Sequence, residues 1–429
     1  MKVEFDPARA KNRKDFVAKN IAKDSTQAKS PKTRLKINPF TPQDPITDPV
    51  KFAGRNDSIQ NAIYALFNNK NIMITGERGI GKSSVANQLV YVAQGDMDII
   101  NRLSIDIDQS HFAYAIGDHR CEPSNTLVDI VNALAISALT NLHVKWREAR
   151  RTAEWQFDLK YVKRGQKTES ERIQPSELIN ILFGFIVDIF EAAKQEVNGI
   201  VFLIDEIDSL SPSVQIAPFM KALVETLRLR GYQNVSFIIA GVTGTMTDLI
   251  SQHPSISRSF ETLELPTMTN SELREIITNA LLGSTVTIKP SVTKKIVDLA
   301  DGLPQPVQLL GYHSYRLDTN LNIERNDLQC ALGFIVNQQK RQEFEDLYRH
   351  IPGGLGLETV KVMAIDYKTE MKLNEIAAKS NMRDQDFTGA IKQLVNNGII
   401  VQSDRECYKL RTPIFKEYLR QKLQLSVLG

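Results

Sequence analysis

Gly76-Glu77-Arg78-Gly79-Ile80-Gly81-Lys82-Ser83 fits the pattern G-x-x-x-x-G-K-[ST] and stands between the flanks that this pattern needs. Asn71-Ile72-Met73-Ile74-Thr75 leads in as a buried strand, and apolar-periodic residues 84–90 lead out as a helix. Glycines in such a loop let backbone N–H groups converge on phosphate oxygens, and the helix N-terminus adds partial positive charge. The run through Gly76, Glu77, Arg78, Gly79, Ile80 and Gly81, with Ser84 behind it, therefore reads as a phosphate cradle. Lys82 is placed to reach the β- and γ-phosphates and the Ser83 hydroxyl to ligate Mg2+, which makes ATP with Mg2+ the expected cofactor pair. The bland reading is a Gly-rich turn that matches by chance; the two flanks argue against it.

Working outward, 429 residues are too many for one typical domain, and about two or three are expected. A hydrophobic share of 42% supplies a sizeable core. No apolar run approaches the ~20 residues that cross a bilayer, and the start, Met1-Lys2-Val3-Glu4-Phe5-Asp6, lacks a secretory apolar core. The expectation is a cytoplasmic protein without a membrane partner. Cys121, Cys330 and Cys407 match neither a zinc pattern nor a disulfide framework and read as buried thiols. A net charge of +3 is too small to argue for nucleic acid, so the distribution of charge matters more.

Residues 1–50 carry scattered Lys and Arg and a late cluster of prolines, the composition of an extended, flexible arm. Such an arm serves equally as a nucleic-acid contact or as a solvated tail. Residues 51–265 alternate apolar strands with helical patterns, with strands expected at 99–105, 199–204 and 235–240; this order argues for a parallel sheet with helices on both faces. A charged stretch at 145–175, with Trp146 and Trp155 inside it, interrupts the pattern as an insertion; a solvated helix face and a partner contact explain it equally. Residues 266–350 read as helices at 270–282, 290–300, 304–317 and one long helix near 326–349. After Ile351-Pro352-Gly353-Gly354, residues 351–429 show the order of a helix-turn-helix followed by a β-wing. The expected fold class is α/β: a parallel-sheet P-loop NTPase core, an α-helical lid and a C-terminal winged-helix domain.

The second chemical signal is Val201-Phe202-Leu203-Ile204-Asp205-Glu206, an apolar strand that ends in paired acids. Parallel sheets bind ligands at the carboxyl ends of their strands, so Asp205 is expected to hold Mg2+ and Glu206 to polarise the attacking water. The bland alternative is a solvated loop continuing to Asp208. Thr243, after the strand at 235–240, either touches the γ-phosphate or lytic water or makes an ordinary turn hydrogen bond. Arg258 is either an arginine finger offered to a neighbouring subunit's nucleotide or a plain surface arginine.

Together these residues resemble AAA+ P-loop ATPases, in the clade of origin-recognition initiators and STAND-like signal-transducing NTPases. The markers are Phe52-Ala53-Gly54-Arg55, Gly76–Ser83, Leu203-Ile204-Asp205-Glu206, Arg258-Ser259-Phe260 and Gly302-Leu303-Pro304. The resemblance implies a nucleotide between core and lid, with Pro304 at its edge, and homo-oligomerisation. One departure stands out: the lid segment reads Pro304-Gln305-Pro306-Val307-Gln308 and brings no arginine until Arg316. That tilts the expectation towards slow turnover, with ATP as a switch.

Asp384 and Asp386 open the recognition-helix candidate, which phosphates would repel; Arg405, Lys409, Arg411, Lys416, Arg420 and Lys422 on the wing side are basic. The function expected is therefore an ATP-hydrolysing switch acting on or with DNA, its ATP state controlling self-association and recruitment of a separate protein partner. The alternative is a STAND-like signalling or anti-phage defence ATPase whose winged helix docks protein or autoinhibits. An unfoldase is disfavoured because no aromatic-hydrophobic-Gly pore loop is evident before Asp205.

Overall fold

The computed structural model describes residues 37–145, 174–192, 197–252, 254–380 and 384–425. The chain divides after Ile37, and the fold is that of the unit beginning at Asn38. The basic arm through residue 36 and the charged insertion at 146–173, with both tryptophans, lie outside the described residues.

After residues 38–55 the core begins with α1 (Asn56–Phe67), β1 (Asn71–Gly76) and α2 (Lys82–Ala93). There follow α3 (Asp98–Arg102), β2 (Tyr114–Arg120), α4 (Leu127–Lys145), α5 (Pro175–Ala192), β3 (Gly199–Asp205), α6 (Ile216–Leu229), β4 (Val235–Val242), α7 (Thr243–Gln252) and β5 (Phe260–Glu264). The five strands are all parallel in the order β2-β3-β4-β1-β5. β1 is buried at every position, and its side chains alternate between two cores. Ile72 and Ile74 join the cluster under α1 and α2, whereas Met73 joins the one under α4, α5 and α6. Burial on both faces is why the strands read as continuous apolar runs.

The strand expected at 99–105 is not one. Ile99 and Ile100 are fully buried, but on the short helix α3. The true second strand, β2, is an edge strand whose last residues, Asp118-His119-Arg120, are partly or fully exposed, so its apolar signal covers only half its length.

The lid comprises α8 (Asn270–Leu281), β6 (Thr287–Ile288), α9 (Pro290–Ala300), α10 (Pro304–Leu317), β7 (Asn322–Ile323), α11 (Arg325–Phe334) and α12 (Arg341–Arg349). Helices α9 and α10 each begin on proline, where a missing N–H costs nothing. The single helix expected near 326–349 is interrupted by a π-turn at Ile335–Gln339, closed by Lys340 N–H donating to the Ile335 carbonyl.

The last unit runs α13 (Leu355–Ile365), β8 (Glu370–Lys372), α14 (Leu373–Lys379), α15 (Asp384–Asn396), β9 (Ile400–Asp404), β10 (Cys407–Leu410) and α16 (Pro413–Lys422). Its strands form an antiparallel sheet in the order β8-β10-β9. Lid and last unit share one hydrophobic core, in which Ile276, Val297 and Val336 pack with Val360, Phe415 and Leu419.

The N-terminal boundary also differs from expectation. Residues 38–50 are not part of a loose arm but pack onto both lid and core. Phe40 is 1% exposed and meets Tyr315 edge-on, Asn38 Nδ2 donates to the Tyr312 carbonyl, and Gln88 Nε2 donates to the carbonyls of Ile46 and Thr47. Of the three cysteines only Cys121 is buried; Cys330 is exposed and Cys407 half-buried.

Candidate nucleotide site

The phosphate loop is held open by backbone conformations that favour glycine. Gly79 and Gly81 sit at φ +80° and +99°, and Gly81 caps the N-terminus of α2. The lid closes against this loop. Gln305 N–H donates to the Gly79 carbonyl at 3.3 Å, and a Cβ on Gly79 would come within 3.1 Å of Gln305 Cβ. Pro304 lies beside Gly81. Beneath the loop, the buried Arg55 donates from Nη2 to the Ile80 carbonyl at 3.0 Å and from Nη1 to the Pro266 carbonyl, where core passes into lid. Its own N–H donates to lid residue Glu272 at 2.8 Å.

Lys82 Nζ folds back on its own loop, donating to the carbonyls of Glu77 (2.9 Å) and Gly76 (3.1 Å). Burial lowers its proton affinity, opposed by the charges of Asp208, Asp205 and Glu206. The Ser83 hydroxyl acts on the Asp205 carboxylate and favours its charged form, which brings the two chemical motifs together in space. Asp205 Oδ1 also accepts the Glu206 N–H at 2.9 Å. Burial nevertheless raises the Asp205 pKa, because loss of water outweighs these hydrogen bonds. Ser84, read as part of the cradle, spends its hydroxyl on Ile46 N–H at 3.0 Å, so it anchors residues 38–50.

Glu206 stands at φ 53°, ψ 40°, a left-handed turn that swings it off the strand axis. Its Oε1 meets Arg120 Nη2 at 2.5 Å. Arg120 ends β2 in register with Asp205, and the hydrogen bond to Glu206 raises its pKa, with Asp44 adding a further negative charge. No spacing rule points to Arg120; only the β2–β3 pairing brings it here.

Strand β4 lies between β1 and β3, so its carboxyl end opens between phosphate loop and acid pair. Thr243, the first residue of α7, follows that end directly. Arg258 lies elsewhere. It is exposed at the amino end of β5, while Glu264 at the far end pairs with Thr75; at about 3.3 Å per residue that is roughly 17 Å of strand. There it lines a polar cleft of about 510 Å³ with Lys70, Asn71, Arg228 and Tyr232. Lid Gln308 is also committed, its Oε1 accepting the Thr41 N–H at 3.0 Å, and Arg316 lies over the Phe334 ring. Among the described residues no His/Cys/Asp/Glu cluster with metal-site geometry occurs, and no helix is long and apolar enough to cross a membrane.

Residues 38–317, well over half of the chain, match the family described as novel STAND NTPase 1. The chain belongs to that family. The match begins at Asn38, where the described unit begins, and ends at Leu317 with α10, so this STAND NTPase unit takes in the N-terminal segment, the core and the first lid helices. The resemblance to P-loop ATPases of the origin-recognition and STAND clade therefore holds. Among solved structures, the Walker-type ATPase of Pyrococcus abyssi is similar with TM-score 0.54 and 14% identity, over 88% of this chain and 99% of that one. At that identity the likeness shows the shared fold. The ORC2 protein of Aeropyrum pernix (TM-score 0.48, 11% identity, 86% and 95% covered) is more distant. So is the RuvB Holliday junction branch migration motor of Thermotoga maritima (0.43, 16%, 89% and 100%). No curated protein matches the sequence.

Proposed function

We propose that this STAND NTPase binds ATP with Mg2+ and hydrolyses it slowly, as a switch whose nucleotide state governs self-association and partner recruitment. The observation that carries the reading is the buried Asp205 carboxylate at the end of β3, whose charge acts on Lys82 at the start of α2. Burial disfavours the charged form of both Asp205 and Lys82, so a dication against the first and a phosphate against the second offset a cost already present; the donor set fits the pair. Mg2+ supplies Lewis-acid stabilisation of the charge that moves in phosphoryl transfer, and ATP supplies the phosphoryl group. Ser83 and Asp205 hold the metal, Lys82 binds phosphate oxygens, and Thr243 donates towards the γ-position. The Glu206 carboxylate takes the proton of the attacking water once Arg120 lets go of it. While that ion pair persists turnover is slow.

Phosphate release and nucleotide binding, measured side by side, test this. Lys82→Ala should weaken ATP binding at least tenfold. Glu206→Gln should keep binding and lose about 100-fold in kcat, within the usual range for a general base. Arg120 and Glu206 side chains are 64% and 39% exposed, so their pair is worth no more than about 1 kcal/mol, and Arg120→Ala should raise basal turnover by at most about fivefold. The double variant should stay as slow as Glu206→Gln. Wild-type turnover by Glu206→Gln rules the reading out.

Arg258 is remote from its own phosphate loop, so in this reading it serves the nucleotide of a second copy. The cytoplasm is its expected setting, and DNA is the partner class that the terminal basic residues suggested. A second reading, the autoinhibited signalling ATPase, draws support from where those residues now sit. Lys409 pairs with lid Asp301 at 2.8 Å, Lys422 pairs with Glu345, Lys416 is buried on the Lys368 carbonyl, and Arg420 bonds the Ala364 and Asp366 carbonyls. Arg405 and Arg411 remain exposed. We take the terminal unit to be a winged helix docked on the lid, with any DNA contact made through phosphates by those two arginines.

A further inference from the structure

Asp208 follows the acid pair by two residues and sits half-buried in the 3-10 turn Ile207–Ser209. Its Oδ1 accepts the backbone N–H of Val242, the last residue of β4, at 3.1 Å. Thr243 comes next. Gly241 lets this happen: a Cβ there would lie 2.6 Å from Ile207 Cγ2 and 3.4 Å from Asp208 Oδ1, so any larger residue would push the turn off the strand. One carboxylate therefore ties the turn after the acid pair to the end of β4.

We propose that Asp208 is a positioning residue for phosphoryl transfer, fixing Thr243 against the phosphate loop through the Val242 N–H. The role rests on the ATPase activity proposed above. A backbone N–H cannot be removed by a side-chain change, but its acceptor can. Asp208→Ala deletes both acceptor and charge, whereas Asp208→Asn keeps an acceptor oxygen and deletes the charge alone. The two variants therefore separate the tie from the electrostatic effect.

The full chain is assayed for phosphate release, with KM and kcat resolved, and for amide exchange at Val242. Asp208→Ala should lower kcat about tenfold without raising KM, because removing a negative charge near the phosphates does not weaken their binding. Asp208→Asn should restore most of the lost kcat. Exchange of the Val242 amide should quicken in Asp208→Ala and stay slow in Asp208→Asn and Thr243→Val. Combined with Thr243→Val, Asp208→Ala should add little, since both act through one hydroxyl and coupled sites are not additive. The role is overturned if Asp208→Asn is as slow as Asp208→Ala, if the two losses multiply, or if Asp208→Ala turns over normally. A wild-type chain that releases no phosphate overturns the proposed activity and this role together; normal wild-type release with an unaffected Asp208→Ala overturns this role alone.

Discussion

Asp205 bears an electrostatic cost that the rest of the site is arranged to relieve. Its pKa is raised by burial, so the folded chain holds the ionised carboxylate less well than the unfolded chain does. A raised pKa means that the residue's contribution to stability is intact below its ordinary range near 4 and is lost as pH rises through the raised value. At neutral pH the full cost is present. Asp205→Asn keeps an acceptor for the Ser83 hydroxyl and removes the charge. Its melting midpoint at pH 7 without nucleotide should exceed wild type by roughly 2–4 °C for each ~1 kcal/mol relieved. The difference should shrink as pH falls through the raised value and be gone below about pH 4, where Glu272 and Asp366, with lowered pKa values, act in the opposite sense in both proteins. Stabilisation by Mg-ATP should vanish in the variant. A variant that melts below wild type at pH 7 would refute the cost. Lys82, Ser83, Asp205 and Glu206 were legible in the sequence because phosphate chemistry demands those residue types at those spacings. Arg120 and Asp208 were not, because a strand pairing and a backbone hydrogen bond bring them to the site, and neither leaves a pattern along the chain.

Among the elements, the segment at 38–50 most changes the picture drawn from the sequence. Proline and polar residues there satisfied every compositional sign of an unstructured arm, and the one contrary sign was a single aromatic, Phe40. Tertiary contact decides its state: Phe40 fills the space above Gly311, where a Cβ would lie 2.4 Å from its ring. From that anchor the chain crosses from lid helix α10 to α2 by way of the Thr41–Gln308, Ile46–Ser84 and Gln88 hydrogen bonds. It straps lid helix α10 to core helix α2. Removing a fully buried phenylalanine costs about 3–5 kcal/mol in a rigid core, but a chain segment at a domain's start can peel away without global unfolding. Phe40→Ala should therefore leave the main melting transition near wild type, open a thermolysin cut within 38–50, and speed nucleotide release several-fold. Gly311→Ala should do the same from the other side of the contact, even though alanine favours the helix by up to ~1 kcal/mol. Unchanged cleavage and unchanged release in both would show that the strap is ornamental. The misread second strand teaches the same lesson: β2 ends in polar residues at a sheet edge, and periodicity cannot see an edge.

At the scale of the whole molecule, lid and last unit share one core, and Arg55 ties the Pro266 carbonyl, where core passes into lid, to the Ile80 carbonyl of the phosphate loop. Alternating strands, proline-started lid helices and the closing antiparallel sheet were all readable from pattern. Their docking was not, since it depends on which charges find each other across the fold. Lys409 finds Asp301, a residue at φ 51° immediately before the Gly302-Leu303-Pro304 turn that abuts the phosphate loop. Under the proposed switch, a shift of that turn on nucleotide binding would bear directly on whether Lys409 is free. Asn tolerates the left-handed conformation as well as Asp does, so Asp301→Asn should release the lysine without disturbing the backbone. If the terminal unit meets DNA through phosphates, each freed cation steepens the dependence of log K on log salt by about 0.9. Asp301→Asn should then bind duplex DNA more tightly at low salt with a slope about 0.9 steeper than wild type. Arg405→Glu with Arg411→Glu should flatten the slope by nearly twice as much. Equal slopes in all three proteins, or no binding even near 50 mM salt, would instead leave the docked unit as a protein-facing brake whose release is read by a partner chain.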